Sequence, residues 1–327
     1  MINKRILALF SGGLDSIIAV LWMQKLGFEV IPIFFETPFF KPDKAIKIAN
    51  ENMLTLTTID FSAEHLDMLK SPVYGYGKHF NPCIDCHGLM FRILKDKLVE
   101  YKAAFIISGE VLNQRPMSQR KDAMNAVKKL STIGDLIVRP LSQRLLSDTL
   151  PVREGWVNKV DLLDISGRSR ARQLAIAQEF GVKEIPQSGG GCLLTDKGYT
   201  TRLKELIDYN QLTLKNINFL ESGRHFRLSS DIKVIINRQS SELTHLLSVI
   251  TDETILKCQN VPGPIGILNS PLPIHQGIIE LAGSILLRYC PKAKEIETIN
   301  FGKQFNLNES MVCTKLPDPE IDKYRII

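Results

Sequence analysis

The first half of the chain alternates short apolar runs with longer stretches in which apolar residues recur every three or four positions. The runs Ile6–Phe10, Val30–Phe35, Leu56–Asp60, Phe105–Ser108 and Leu136–Val138 predict strands buried on both faces. Helical spacing marks Ser16–Lys25, Lys41–Asn52, Phe91–Tyr101 and Ser166–Phe180. This order predicts an α/β fold built on a doubly wound parallel sheet. Ile185-Pro-Gln-Ser-Gly-Gly-Gly-Cys192 reads as a loop. Beyond it the pattern changes. A helix at Thr201–Asn210 precedes short alternating segments at His225–Leu228, Ile232–Ile236 and Ile265–Leu268. Turn signals at Ser222-Gly223 and Val261-Pro-Gly-Pro264 separate them, and Ile274–Tyr289 is helical again. We read a first domain over 1–196 and a second, smaller α+β domain over 197–327, with no internal repeat or low-complexity tract.

Composition narrows this picture. The 327 residues are 44% hydrophobic, which supports a large core and excludes a disordered chain. A net charge of +6 permits a nucleic-acid partner without requiring one. No apolar run reaches the ~18–20 residues needed to span a bilayer, so no membrane partner is expected. The apolar part of the N-terminus is only Ile6–Phe10 and runs at once into Ser11-Gly-Gly, which suits a first strand better than an export signal. The expected location is cytoplasmic. Six cysteines are then not expected to pair as structural disulfides; thiols, metal ligands or redox chemistry are the alternatives.

The strongest chemical signal is Ser11-Gly-Gly-Leu-Asp-Ser16, set between a strand and a helix. Gly12 and Gly13 let the backbone turn sharply and approach an anion, and the amides opening the next helix then point at it. Ser11 and Ser16 can donate hydroxyl hydrogen bonds, and Asp15 can hold Mg²⁺ or order the loop. No Gly-Lys-Ser/Thr follows, so this is not the Walker pattern. The hexapeptide resembles the PP-loop of the N-type ATP pyrophosphatases, of the adenine nucleotide alpha hydrolase-like fold. That resemblance implies ATP cleavage between the α and β phosphates, with AMP placed on a substrate carbonyl oxygen.

Asn81-Pro-Cys83-Ile-Asp-Cys86 precedes the Phe91 helix, and Cys192 follows three glycines. A lone Cys-x-x-Cys is open to redox, zinc or iron–sulfur readings. The segment resembles the Asn-Pro-x-x-x-Cys element of tRNA 2-thiouridylases, whose cysteine works with a second, distant one. Cys86 matches that position and Cys192 is the candidate partner. With the extra Cys83 the set is similar to tRNA thiolation enzymes that bind a [4Fe–4S] cluster. Three sulfur routes follow: a cluster held by Cys83, Cys86 and Cys192; a persulfide on Cys192 resolved by Cys86; or a zinc site completed by His87 or His79. Cys258, Cys290 and Cys313 lack paired spacing and read as buried apolar residues.

Gly109-Glu-Val-Leu-Asn-Gln114-Arg-Pro-Met-Ser118-Gln119 resembles a nucleotide-binding segment of tRNA 4-thiouridine synthetase, one residue longer here. The resemblance implies that Gly109 and Gln119 bind ATP. Phe34 and Phe35 match an adenine-contacting position, and equally suit a core. Relatives often carry a basic residue just after the Cys segment, facing the phosphates; here Arg92 or Lys95 would substitute. Arg139-Pro-Leu141 resembles a structural element of the same domain.

In the second domain, Gly223-Arg-His-Phe-Arg227-Leu and Lys233-Val-Ile-Ile-Asn-Arg238 combine basic and aromatic residues on strand-like segments. Alternation would expose Arg224, Phe226 and Lys233, suited with Arg227 and Arg238 to RNA phosphates and bases. The region resembles the NFACT-type RNA-binding domain. Together the resemblances imply a tRNA sulfurtransferase using ATP, Mg²⁺ and a [4Fe–4S] cluster, with tRNA as partner. The sulfur donor would be sulfide or a persulfide carrier such as a cysteine desulfurase. The alternatives are a PP-loop ligase or amidotransferase with a nitrogen nucleophile on a small molecule, and a non-catalytic nucleotide- and RNA-binding protein.

Overall fold

The computed structural model describes residues 4–185, 191–304 and 306–327. The predicted loop at 185–192 therefore lies largely outside the described residues. The chain divides into two compact units, Met1–Thr195 and Asp196–Ile327.

In the first unit the elements run β1 (Arg5–Leu9), α1 (Leu14–Lys25), β2 (Glu29–Glu36), α2 (Asp43–Glu51), β3 (Thr57–Asp60), α3 (Ser62–Lys70), α4 (Cys83–Glu100), β4 (Ile106–Ser108), α5 (Lys121–Ser131), β5 (Ile137–Val138), α6 (Leu150–Arg153) and α7 (Ala171–Glu179). The five strands are ordered β3-β2-β1-β4-β5, and every neighbouring pair is parallel. Helices cover both faces. Ile6, Ala8 and Phe10 pack with α1 and α2, while Leu7 turns to the core shared by Phe91 and Leu94 of α4. The order switches direction between β1 and β4, so the loops at their C-terminal ends flank a crevice where open α/β sheets place ligands.

Helix α4 begins at Cys83, eight residues before the start expected at Phe91. Both paired cysteines therefore lie in its first turns, not on a loop. Pro82 precedes the helix, where a missing amide costs nothing. Helix α7 starts five residues later than expected, at Ala171. The amphipathic α5 escaped the sequence reading.

The second unit comprises α8 (Lys197–Asp208), α9 (Leu214–Asn218), β6 (Arg224–Arg227), β7 (Lys233–Ile236), α10 (Ser240–Val249), β8 (Thr254–Cys258), β9 (Ile265–Asn269), α11 (Gln276–Arg288), β10 (Ile296–Lys303), β11 (Glu309–Thr314) and α12 (Asp318–Ile321). Its six-stranded sheet is antiparallel, ordered β11-β10-β8-β9-β7-β6. Val234, Leu256 and Leu268 pack with Ile285 and Leu286 of α11. On the other face Ile235, Ile255 and Ile267 meet Leu246 of α10 and Phe219. Cys258, Cys290 and Cys313 are buried in the first of these cores.

Candidate active site

The turn from β1 into α1 holds itself closed. Ser16 donates its hydroxyl to the Gly13 carbonyl at 2.8 Å, and the Ser11 amide donates to Ser16 Oγ at 3.3 Å. Gly12 takes φ +71°, and a Cβ there would lie 3.0 Å from Ala45 Cα, so only glycine fits without strain. A Cβ on Gly109, just past β4, would lie 2.5 Å from the Ser16 amide nitrogen and the Asp15 carbonyl carbon. Gly109 thus lets the β4 end press directly on the first turn of α1.

Asp15 is the chemical centre of this turn. Its Oδ2 accepts Gln114 Nε2 at 2.6 Å, and Gln173 of α7 donates to Gln114 Oε1 at 2.9 Å. Its Oδ1 is buried with no hydrogen-bond partner. Burial pushes its pKa up, against the pull of the Gln114 hydrogen bond and the charges of Arg170 and Arg115. A desolvated carboxylate oxygen without a partner fits a Mg²⁺ ligand. Gln119 is also buried, and its Oε1 has no partner. Phe35 lies in the core instead, its ring 5.0 Å from that of Phe61.

A buried charge cluster joins β4 to the cysteine helix. Glu110 accepts Arg139 Nε at 2.8 Å and Ser108 Oγ at 3.0 Å, and its other oxygen lies 3.0 Å from His87 Nδ1. Burial alone would raise the Glu110 pKa, but Arg139 and His87 outweigh it and hold the group at about 2. This cluster fixes His87, the residue after Cys86. Sequence reasoning missed it, because three residues from separate elements carry no local spacing.

The structure brings Cys192 to Cys83 and Cys86. Leu193 donates its amide to the Phe39 carbonyl at 2.9 Å, and the turn Leu193–Thr195 packs on the turn Lys78–Phe80 just before α4. Burial raises the Cys86 thiol well above its usual range, with further contributions from Cys192 and Cys83. Burial likewise pushes Cys192 up to about 11, with Cys83 adding to the rise. Asn81 Nδ2 donates to Cys83 Sγ at 3.1 Å. All three thiols are free. Among the described residues no three His, Cys, Asp or Glu side chains form a metal-holding group. The three thiols thus lie near one another without a preformed ligand geometry among the described residues. No zinc site with His87 or His79 is formed among those residues either.

In the second unit the expected exposed strand face is not present. Phe226 is fully buried, and Lys233 is 3% exposed with its Nζ 2.6 Å from Glu205. Burial first, offset by Glu205, lowers Lys233 to about 8. Arg227 also pairs with Glu205 and stacks 4.2 Å over Tyr209. Arg224 lies 4.6 Å over the Tyr289 ring, and Arg238 pairs with Glu242 at 2.7 Å. The reason is that β6 is not a bare edge. Phe226 bridges to Arg325, and Ile326 donates its amide to the His225 carbonyl at 3.0 Å, so the C-terminal segment covers it. Of the four basic residues, Arg238 keeps the most accessible position, with its side chain 45% exposed.

Residues 1–144 match the family model of the thiamine biosynthesis protein ThiI, and residues 223–325 match that of the NFACT protein RNA-binding domain. The first match falls within the parallel-sheet unit and the second within the antiparallel-sheet unit. The tRNA-specific 2-thiouridylase MnmA of Karelsulcia muelleri is 24% identical over 51% of this chain and 47% of its own length. That of Herminiimonas arsenicoxydans is 23% identical over 70% and 64%. The chain thus spans less than two thirds of these curated relatives. A 4-thiouridine synthetase solved with RNA and ATP is 19% identical, with 66% of this chain and 52% of that one covered at a TM-score of 0.42. Among the described residues no helix is long and apolar enough to cross a membrane.

Proposed function

We propose that the chain is an ATP-dependent tRNA sulfurtransferase, with 1–196 as the catalytic domain and 197–327 as the RNA-binding domain. The observation that carries this reading is the meeting of Cys83, Cys86 and Cys192, from segments over a hundred residues apart, in a domain built on a PP-loop. A nitrogen-nucleophile ligase would not need the three thiols for bond formation, and it would keep its turnover with all three replaced by Ser.

The uridine carbonyl oxygen attacks the α-phosphorus of ATP, and the bond to the β-phosphate breaks. Pyrophosphate leaves into the loop of Ser11, Gly12, Gly13 and Ser16, whose fixed donors stabilise its charge. Asp15 would hold Mg²⁺ through its unpartnered oxygen. Gly109 and Gln119 would border the nucleotide, with Phe35 supporting the site from the core. Sulfur then attacks the activated ring carbon, the carbon–oxygen bond breaks, and AMP departs with the oxygen.

Two routes supply the sulfur. In the first, Cys192 carries a persulfide loaded by a carrier such as a cysteine desulfurase. Its terminal sulfur bonds to the ring carbon, Cys86 attacks the sulfur of Cys192, and a Cys86–Cys192 disulfide forms that a thiol reductant must reopen. In the second, Cys83, Cys86 and Cys192 would hold a [4Fe–4S] cluster, which supplies an open iron site for sulfide. We place tRNA on the second domain, with Arg224, Arg227, Lys233 and Arg238 as its basic residues; Arg238 is the one best placed for direct contact, and the buried Lys233 would act by supporting the fold.

Mass spectrometry of tRNA nucleosides from cells with and without the gene tests the activity. Loss of one thiolated uridine on deletion is the expected result, and identical nucleoside profiles would overturn the proposal. Cys83→Ala separates the routes. The cluster route loses both bound iron and activity, whereas the persulfide route retains turnover.

A further inference from the structure

The basic residue expected just after the cysteine segment is not supplied by α4. Along an α-helix Arg92 and Lys95 stand roughly 13 and 18 Å from Cys83. Lys95 instead reaches Thr132 at 3.5 Å, beside a surface hollow of about 600 Å³ bordered by Asp96 and Asp135. A different segment occupies the space between loop and thiols. Gln114 bonds to Asp15 at 2.6 Å, and Met117, three residues on, packs against Gly77, where a Cβ would lie 2.6 Å from Met117 Cε. Gly77 in turn donates its amide to the carbonyl of Asn81, whose side chain holds Cys83. The stretch 114–117 therefore spans from the PP-loop to the cysteine segment, and Arg115 lies within it.

Arg115 is exposed and forms no ion pair among the described residues. It lies one residue from the Gln114 contact with Asp15 and two from the Met117 contact with the segment that leads to Cys83. In the reaction proposed above, the β and γ phosphates lie in the loop while the ring carbon must face the thiols. The α-phosphate joins the two and has to pass between them.

We infer that Arg115 binds the α-phosphate of the nucleotide, in ATP and in the adenylated product, between the PP-loop and the cysteines. This rests on the sulfurtransferase reading for its geometry, but nucleotide binding tests it separately. A planar guanidinium can grip two phosphate oxygens at once, which a lysine ammonium cannot.

Titration calorimetry on the full chain with Mg²⁺, first with ATP and then with AMP and without RNA, is the test. Arg115→Ala should weaken both nucleotides by about ten- to a hundredfold, the worth of a charge-assisted contact. Arg115→Lys should recover part of that loss. An unchanged circular dichroism spectrum and melting temperature are expected for both variants, since the side chain is exposed. Unaltered ATP and AMP affinity in Arg115→Ala would overturn the assignment. So would a variant that keeps its nucleotide affinity and loses only tRNA affinity, since the phosphate bound would then be that of the RNA backbone. A wild-type chain that binds ATP yet forms no thiolated nucleoside would sink the sulfurtransferase reading instead, with the Arg115 comparison still decided by the binding data.

Discussion

His65 sits among Phe39, Phe40 and Phe61, with ring centroids 5.3, 6.0 and 5.1 Å away, and both its nitrogens lack hydrogen-bond partners. Burial lowers its pKa from 6.5 to about 4. The unfolded chain therefore binds this proton first, and stability present above about pH 6.5 drains away as pH falls towards 4. We expect a loss of about 2 kcal/mol from this residue between about pH 7.5 and 5. Urea unfolding of the wild type and His65→Leu at both pH values checks it, and equal pH dependence in the two proteins would refute it. Gly109 gives a second residue-scale prediction. An added methyl must displace the Asp15–Ser16 backbone, so Gly109→Ala should cost about 1–3 kcal/mol and impair pyrophosphate release with it. A variant with wild-type stability and turnover would contradict the close approach. The motif pointed to Gly109 as a nucleotide residue. Its collision with α1 was not legible, because it depends on a backbone distant in sequence. Gln173 was hidden for the same reason: nothing in α7 itself shows that its amide reaches Gln114.

At the scale of elements, α4 carries the main departure from the sequence pattern. Its apolar spacing is clear only from Phe91, since the earlier turns bury Asp85, Cys86 and Gly88. Asp85 accepts the amides of Val73 and Tyr74 at 2.6 and 3.1 Å, so the helix start also anchors the loop before it. A polar residue used this way weakens the periodic signal while serving the fold. The same effect misled the reading of β6 and β7. Lys233 looks solvent-facing by alternation, yet it and Arg227 both reach Glu205 of α8. Removing one partner leaves a charge poorly compensated. Lys233→Met should therefore destabilise the chain by roughly 3 kcal/mol, whereas Arg238→Ala should change stability by less than about 0.5 kcal/mol and weaken tRNA binding. Chemical denaturation together with filter binding distinguishes them. A stable Lys233→Met variant with impaired tRNA binding would instead make Lys233 a direct contact.

For the whole molecule, each unit has its own sheet and its own cores. A ligand stabilises the part it binds. Hydrogen exchange should show ATP protecting amides around Ser11–Ser16 and Gly109–Gln119, while tRNA protects amides in the β6–β7 region. Protection by ATP confined to residues 197–327 would contradict the proposed division of labour. The amino-acid sequence alone determined the alternation of strands and helices, the glycine-rich turn at 11–16, the cysteine pair and the change of character near residue 197. These are local properties, written in periodicity and in glycine, proline and cysteine at short spacing. Only the tertiary structure decided that Cys192 joins the pair, that Gln114 and Gln173 brace Asp15, that Glu110 balances Arg139 and His87, and that most of the basic residues of β6 and β7 are neutralised. Those outcomes depend on burial and on charges contributed by distant segments, and neither quantity exists until the chain has folded.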